Sequence, residues 1–353
     1  MNHRLGSTPY LLRAAYAAVA IAGFGQAAFS QGLDVAARTL PVPGTVSPEV
    51  QKLIAAPLRP NWDLLPSTGE EWRPVTEAGA AATLRTLPAL IERMRVRVEK
   101  TTIEGVRAHI VTPETMDAKN RDQVLIHMHG GCYVLSPGQA GLPEAVMMAG
   151  LGGFRVIAVD YRMPPEAVFP AALDDGMTVW KATLKTTPAN RIAIFGTSAG
   201  GALTLSMILR AKQDGVPMPA AIAPGTPMSD VTKTGDTFYT NEKVDNVLVS
   251  RDGFCDAGAK VYANGRDMSD PLLSPVYGDM HGFPPTILTS GTRDLLLSNT
   301  VRVHRKLRQA GIEAVLQVYE GQSHAHYLRD DTAPETKEVF GEIASFFDRH
   351  MQK

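Results

Sequence analysis

The sequence has little cysteine and almost no net charge, and each shortage excludes a class of protein. Only Cys132 and Cys255 occur in 353 residues. Two cysteines are too few for a disulfide scaffold, and these two are too far apart in the chain for a cysteine-based zinc site. The 35 Lys+Arg and 36 Asp+Glu residues leave a net charge of -1. No overall field is therefore available to hold a nucleic acid.

Long apolar runs are also scarce. Apolar residues are 44% and charged residues 20% of the chain, which excludes a disordered chain, a collagen-like chain and a polytopic membrane protein. One apolar run, residues 14–29, follows Arg4 and Arg13 and is shorter than the ~20 residues that span a bilayer. It ends at Ala28-Phe29-Ser30, a small-x-small sequence, so we predict a secretory signal over residues 1–30 and a periplasmic or secreted protein. The alternative is an amphipathic helix that a cytoplasmic protein retains.

The rest of the chain divides at about residue 93. Residues 31–93 begin with a Gly/Pro/Thr-rich linker and continue with apolar residues at helical spacing, interrupted by prolines. From residue 94 onward, short apolar strands alternate with helical stretches. The predicted strands are 94–99, 106–111, 124–128, 156–159, 191–195, 220–223, 286–289 and 314–319, and the predicted helices are 171–184, 199–212, 297–310 and 335–349. This alternation is typical of an α/β fold with a mostly parallel sheet covered on both faces.

Ligands of such sheets bind beyond the carboxyl ends of the strands, and a reactive serine is found there. The predicted strand 191–195 runs into Gly196-Thr197-Ser198-Ala199-Gly200-Gly201, after which a helix begins. This is G-x-S-x-G in the strand, turn and helix setting of a nucleophile elbow. The glycines let strand and helix approach closely, and the helix N-terminus favours a negative charge at Ser198.

A second glycine-rich loop follows the predicted strand 124–128. It reads His129-Gly130-Gly131-Cys132-Tyr133. Acyl transfer needs backbone N–H donors aimed at a developing oxyanion, so we predict an oxyanion hole from Gly130, Gly131 and Ala199. His129 is interpreted as a brace of this loop. Because only the backbone of Cys132 has a use here, we expect no disulfide between Cys132 and Cys255.

A serine needs a histidine base, which is itself oriented by a carboxylate. Asp294 follows the predicted strand 286–289, and His324 and His326 follow the strand 314–319. The order serine, aspartate, histidine is that of α/β-hydrolases. Both histidines remain candidates for the base at this point.

Together these motifs resemble the hormone-sensitive-lipase-like branch of the α/β-hydrolases, the bacterial family IV esterases. The family's H-G-G-G loop corresponds to residues 129–132, and its G-[DT]-S-A-G-G elbow corresponds to residues 196–201, here in the G-T-S-A-G form. Its Y-R-L-A-P-E-x-x-F-P-A-A segment corresponds to residues 161–172, and its Y-x-G-x-x-H-x-F segment to residues 319–326. The resemblance covers about residue 94 to the C-terminus.

The resemblance implies an α/β-hydrolase fold, with residues 31–93 supplying a helical cap and 94–353 the catalytic domain. It selects His324 as the base, so the expected catalytic residues are Ser198, Asp294 and His324. His326 and Tyr133 become candidates for the substrate pocket. Three positions depart from the family pattern: Cys132 replaces a glycine, Pro164 an alanine, and His326 an aromatic residue.

The predicted function is a serine carboxylesterase that hydrolyses short- to medium-chain esters through an acyl-enzyme, without cofactor or metal. The near-neutral charge suggests an uncharged ester as the substrate. A lactone hydrolase or a lipase would use the same residues. A non-catalytic small-molecule binder is the alternative from another class, and His127-Met128-His129 with His324-Ala325-His326 raises a metal hydrolase as a third. Whether the protein forms a homodimer is left open.

Overall fold

The computed structural model describes Met1 and residues 32–351 of the chain. The predicted secretory signal lies, apart from Met1, outside the described residues. Residues 32–41 contain no helix or strand, whereas the chain from Val42 onward folds as one compact unit. Among the residues described, no helix is long and apolar enough to cross a membrane.

An eight-stranded sheet forms the centre of the described chain, in the order β1-β2-β4-β3-β5-β6-β7-β8. β1 pairs with β2, and β2 with β4, in antiparallel fashion, and every later pairing is parallel. The strands are β1 (Val96–Ile103), β2 (Val106–Pro113), β3 (Val124–Met128), β4 (Arg155–Val159), β5 (Ile192–Thr197), β6 (Ala221–Gly225), β7 (Thr286–Gly291) and β8 (Ala314–Tyr319). The mostly parallel α/β sheet predicted from the sequence is therefore confirmed.

Helices cover both faces of this sheet, and two apolar cores fill the space between. The helices are α1 (Pro48–Ala55), α2 (Gly69–Met94), α3 (Pro143–Gly152), α4 (Ala171–Thr183), α5 (Ala199–Asp214), α6 (Thr237–Thr240), α7 (Phe254–Ala263), α8 (Leu297–Gln309) and α9 (Pro334–His350). The pattern did not predict α3, α6 or α7. In α3, residues 144–149 are all buried, so no alternation of apolar and polar residues exists to reveal the helical period.

Residues 42–94 contribute α1 and α2. α2 is anchored by the fully buried Trp72 and by Thr76, whose Oγ1 donates to the Val134 carbonyl at 2.6 Å. Arg95, the residue after the end of α2, has the left-handed conformation with φ 52°, and β1 begins at the next residue. The division into a cap and a catalytic domain stays a prediction.

The expectation that the two cysteines stay unpaired is wrong. Cys132 and Cys255 form a disulfide with a Cα–Cα distance of 5.1 Å. α7 packs so closely on the 129–133 loop that a Cβ added to Gly258 would lie 2.8 Å from the Cys132 carbonyl oxygen. Using the backbone of Cys132 in the loop leaves its side chain free to face α7, a neighbour that the sequence did not predict.

Candidate active site

Ser198 occupies a sharp turn between β5 and α5. Its φ of 64° and ψ of -121° form a conformation that a non-glycine residue adopts only where the surroundings enforce it. A Cβ on Gly200 would lie 1.9 Å from the Met128 carbonyl oxygen, and one on Gly196 would lie 2.1 Å from the same atom. The two elbow glycines are therefore needed because the turn presses against the end of β3.

The loop after β3 lies directly beside this serine. A Cβ on Gly130 would be 3.4 Å from the Cβ of Ser198, and Gly131 has a φ of 119° that favours glycine. Ala199 is the first residue of α5, so its N–H has no partner within the helix. Gly130 and Gly131 line the cavity that contains Ser198, and Ala199 directly follows Ser198 in the chain; the oxyanion hole itself stays a prediction.

His129 braces the loop from within. Its Nδ1 lies 2.7 Å from the Gly130 carbonyl oxygen, and its ring stacks on Tyr161 with centroids 4.0 Å apart. Burial lowers the pKa of His129 to about 4, so the ring is neutral near pH 7 and Nδ1–H can donate to the carbonyl. Tyr161 also donates from its hydroxyl to the His129 carbonyl at 2.8 Å.

Asp294 and His324 lie side by side at the carboxyl ends of β7 and β8. His324 Nδ1 is 3.1 Å from Asp294 Oδ1, and Asp294 is fully buried. The carboxylate also accepts bonds from Ser290 Oγ at 2.9 Å, from the Leu296 N–H at 2.8 Å and from the Thr226 hydroxyl. Burial acts to raise the pKa of Asp294, but His324, the Thr226 hydroxyl and the Leu296 N–H outweigh it, and the net pKa lies below the usual value.

His326 and Tyr133 take different positions. His326 lines the cavity next to Ser198, with its Nε2 2.9 Å from the Asn246 Oδ1 and its pKa lowered to about 4, chiefly by burial. Tyr133 is not one of the described residues that line this cavity. Its ring stacks face to face on Tyr262, with centroids 4.4 Å apart. Tyr133 thus anchors the loop.

One cavity of about 640 Å³ opens over the serine. Its wall contains Ser198, His324 and Gly130, together with residues from the α1 to α2 region such as Leu53 and Ala82. The volume falls in the range of small-molecule sites.

A buried polar network that the sequence did not reveal supports the elbow from beneath. Thr197 Oγ1 donates to Glu144 Oε1 at 2.6 Å and lies 2.8 Å from the Tyr327 hydroxyl. Glu144 Oε2 is 3.0 Å from His127 Nε2. The threonine before Ser198 is therefore fixed to α3 and to the segment after β8. The only sequence signal was the threonine itself in the elbow motif.

Asp245 is a second buried carboxylate near the Asp294–His324 pair. Its Oδ2 accepts from the N–H groups of Leu295 at 2.8 Å and His324 at 3.3 Å. Its Oδ1 accepts from the N–H groups of Val247 at 2.8 Å and Leu248 at 3.1 Å. Burial, followed by the neighbouring Asp294, raises the pKa of Asp245 to about 6. Asp245 ties the loop after β7 to the loop after β8, and no motif pointed to it.

The two His-x-His pairs serve other contacts. His127 contacts Glu144, His129 its own loop, His324 Asp294, and His326 Asn246. Across Met1 and residues 32–351, no group of three His, Cys, Asp or Glu side chains is placed to hold a metal ion. The structure therefore adds no support to the metal-hydrolase alternative.

Fold and relatives together define an esterase-type α/β-hydrolase. Residues 125–328 match the family model described as alpha/beta hydrolase fold. The chain is 30% identical over 255 residues to an esterase of Acinetobacter venetianus, covering 71% of this chain and 82% of that protein. It is 27% identical over 240 residues to an acetyl-hydrolase of Streptomyces hygroscopicus, covering 68% and 79%.

Solved structures agree. The crystal structure of esterase E25 superimposes with a TM-score of 0.88 at 43% identity, covering 91% of this chain and 99% of that one. An esterase from the bacterial hormone-sensitive lipase family gives a TM-score of 0.72 at 27% identity, covering 87% and 99%. The protein belongs to the α/β-hydrolase family, in its hormone-sensitive-lipase-like esterase branch, and it is a carboxylic ester hydrolase.

Proposed function

We propose that this esterase uses Ser198, His324 and Asp294 as a catalytic triad and works through an acyl-enzyme. The contact between His324 Nδ1 and Asp294 Oδ1, 3.1 Å long and buried, in a loop that shares the cavity with Ser198, carries the proposal. Such a contact fixes the tautomer of a histidine and leaves Nε2 as the base. His326 has its own Nε2 engaged by Asn246, which favours His324 for this role.

The chemistry follows in two halves. Ser198 Oγ attacks the ester carbonyl while His324 takes the serine proton, and the N–H groups of Gly130, Gly131 and Ala199 stabilise the oxyanion. The C–O bond to the alcohol breaks, and His324 returns the proton to the leaving alcohol. Water, deprotonated by His324, then attacks the acyl-enzyme and releases the acid and the free serine.

A cavity of about 640 Å³ suits esters of short to medium acyl chain. A lactone hydrolase or a lipase with the same triad remains the alternative within this class, and hydrolysis rates on p-nitrophenyl esters of increasing acyl length, on lactones and on emulsified triglyceride would separate them. A non-catalytic binding protein is the alternative from another class.

The decisive experiment compares serine variants. Ser198→Ala should lower kcat on p-nitrophenyl butyrate by a factor on the order of 10⁴ or more and abolish labelling by a fluorophosphonate. Ser345→Ala, on the exposed face of α9, is the matched control and should retain wild-type activity and labelling. His324→Ala should be as severe as the Ser198 change, and His326→Ala mild. If Ser198→Ala keeps activity within tenfold of wild type, the triad is wrong.

We also propose that the enzyme works in the periplasm or outside the cell. The signal pattern of residues 1–30 supports export, and the Cys132–Cys255 disulfide is of a kind that persists in oxidising compartments. Expression of the full chain in a bacterial host should give a periplasmic or secreted product whose N-terminus, read by mass spectrometry, is Gln31. A full-length chain in the cytoplasm with reduced cysteines would contradict this proposal.

A further inference from the structure

Two arginines lie in the wall of the cavity that contains Ser198. Arg59 comes from the segment between α1 and α2, and Arg329 directly follows the 3-10 turn His326–Leu328. Arg59 is held in position: its N–H donates to the Asn246 carbonyl at 2.9 Å, and its guanidinium lies 4.1 Å from the ring centroid of Phe254, another cavity residue. Both residues therefore form part of the wall of the space that a substrate would fill.

Neither guanidinium has a carboxylate partner. Other arginines of the protein do, as Arg107 with Asp160 and Glu166 and Arg162 with Asp175 show. For Arg59 and Arg329, no ion pair within 4.0 Å forms with any residue that the structure describes. Burial, together with the nearby charge of Arg329, lowers the pKa of Arg59. Two like charges are thus held near each other, and neither makes an ion pair with a described carboxylate.

The acidic residues around the cavity are already engaged elsewhere. Glu144, in the cavity wall, accepts from Thr197 and contacts His127. Asp245 lies near the exposed Arg329 but makes no ion pair with it, and its two oxygens accept four backbone N–H groups. Asp294 is bonded to His324 and to its other donors. None of these carboxylates forms a direct ion pair with Arg59 or Arg329.

We infer that the substrate of this esterase carries a carboxylate, which Arg59 and Arg329 bind while Ser198 attacks the ester carbonyl. A guanidinium offers paired donors that match a carboxylate. The inference rests on the proposed function, and it replaces the uncharged ester that the net charge suggested. Two kinds of ester have this chemistry. In a monoester of a dicarboxylic acid the charge lies on the acyl side. In an ester formed at the hydroxyl group of a hydroxybenzoate it lies on the alcohol side.

The test measures charge selectivity in wild-type enzyme and in variants. Hydrolysis of monoethyl glutarate is compared with diethyl glutarate, which differs by one masked carboxylate, and 4-acetoxybenzoate with its methyl ester. Wild type should prefer the anion of at least one pair, and that pair identifies the side on which the charge lies. In Arg59→Gln/Arg329→Gln, the ratio of kcat/KM for the anion to that for the neutral ester should fall at least tenfold, mainly through KM, and Arg59→Lys/Arg329→Lys should restore part of it.

Arg121→Gln is the matched control, because Arg121 is exposed near the amino end of β3, whereas Ser198 lies at the carboxyl ends of the strands. The ratio of kcat/KM for the anion to that for the neutral ester should equal that of wild type in this variant. A double Gln variant whose ratio stays within twofold of wild type overturns the inference. If that variant does not fold, glutarate inhibition of wild-type diethyl glutarate hydrolysis at constant ionic strength decides: competitive inhibition supports the anion site, and its absence refutes it. Loss of hydrolysis of neutral esters in Ser198→Ala, with an unchanged ratio in the arginine variants, would keep the triad and reject only the anion site.

Discussion

Removal of the Cys132–Cys255 disulfide should destabilise the protein measurably. The bond joins residues separated by 123 positions, and the chain-entropy relation for a loop of that length gives a contribution of about 5 kcal/mol at 25 °C. Residual order in the denatured chain reduces this value, so we expect Cys132→Ala/Cys255→Ala to lower the free energy of unfolding by about 2 to 5 kcal/mol.

Urea unfolding followed by tryptophan fluorescence measures this change well. Trp72 and Trp180 are buried, so their emission moves to longer wavelength on unfolding. Four samples are compared: wild type with and without dithiothreitol, and the double alanine variant with and without it. Since dithiothreitol acts on wild type through this bond, the urea midpoint of the variant should not respond to it.

Activity gives a second measure of the same change. The disulfide fastens the loop of Gly130 and Gly131 to α7, so its loss should lower kcat on p-nitrophenyl butyrate more than it raises KM. A double variant within 1 kcal/mol of wild type, or two free thiols in the protein purified without reductant, would refute the reasoning.

The remaining predictions concern the elbow and its supports. Gly200→Ala should abolish activity and reduce the folded yield, because the new Cβ would lie 1.9 Å from the Met128 carbonyl; Gly341→Ala, in a helix with open space around it, should be neutral or stabilising by about 0.5 to 1 kcal/mol in urea titrations. Thr197→Val should cost roughly 1 to 3 kcal/mol of stability by leaving its two buried partners unpaired, whereas Thr197→Ser should recover most of it; equal stabilities would contradict the network. Asp245→Asn should lower kcat by disturbing the Asp294–His324 pair. The folded-state pKa of Asp245 is raised to about 6 from 3.8. Its contribution to the free energy of unfolding is therefore fully present below about pH 3.8 and is lost as the pH rises through 6, so the stability advantage of wild type over the Asn variant should shrink over that interval. An advantage independent of pH would refute this assignment.

The sequence alone predicted the parallel α/β sheet and the positions of its reactive loops. This succeeded because the signals are local: strand and helix periodicities reflect which face is buried, and the glycines around Ser198 are required by the turn that presents it. α3 escaped because burial on all sides removes the helical pattern. The order of Ser198, Asp294 and His324 could also be read from the chain, since each follows a predicted strand.

Only the tertiary structure decided which distant residues meet. Asp245 bridges two loops through backbone N–H groups, and those bonds leave no sequence pattern. Cys132 reaches Cys255 because α7 packs on the 129–133 loop, and Arg59 faces the same cavity as Arg329 because the α1 to α2 segment lies over the serine. Such contacts join residues far apart in the chain, so their chemistry depends on how the packed elements lie and not on spacing along the sequence.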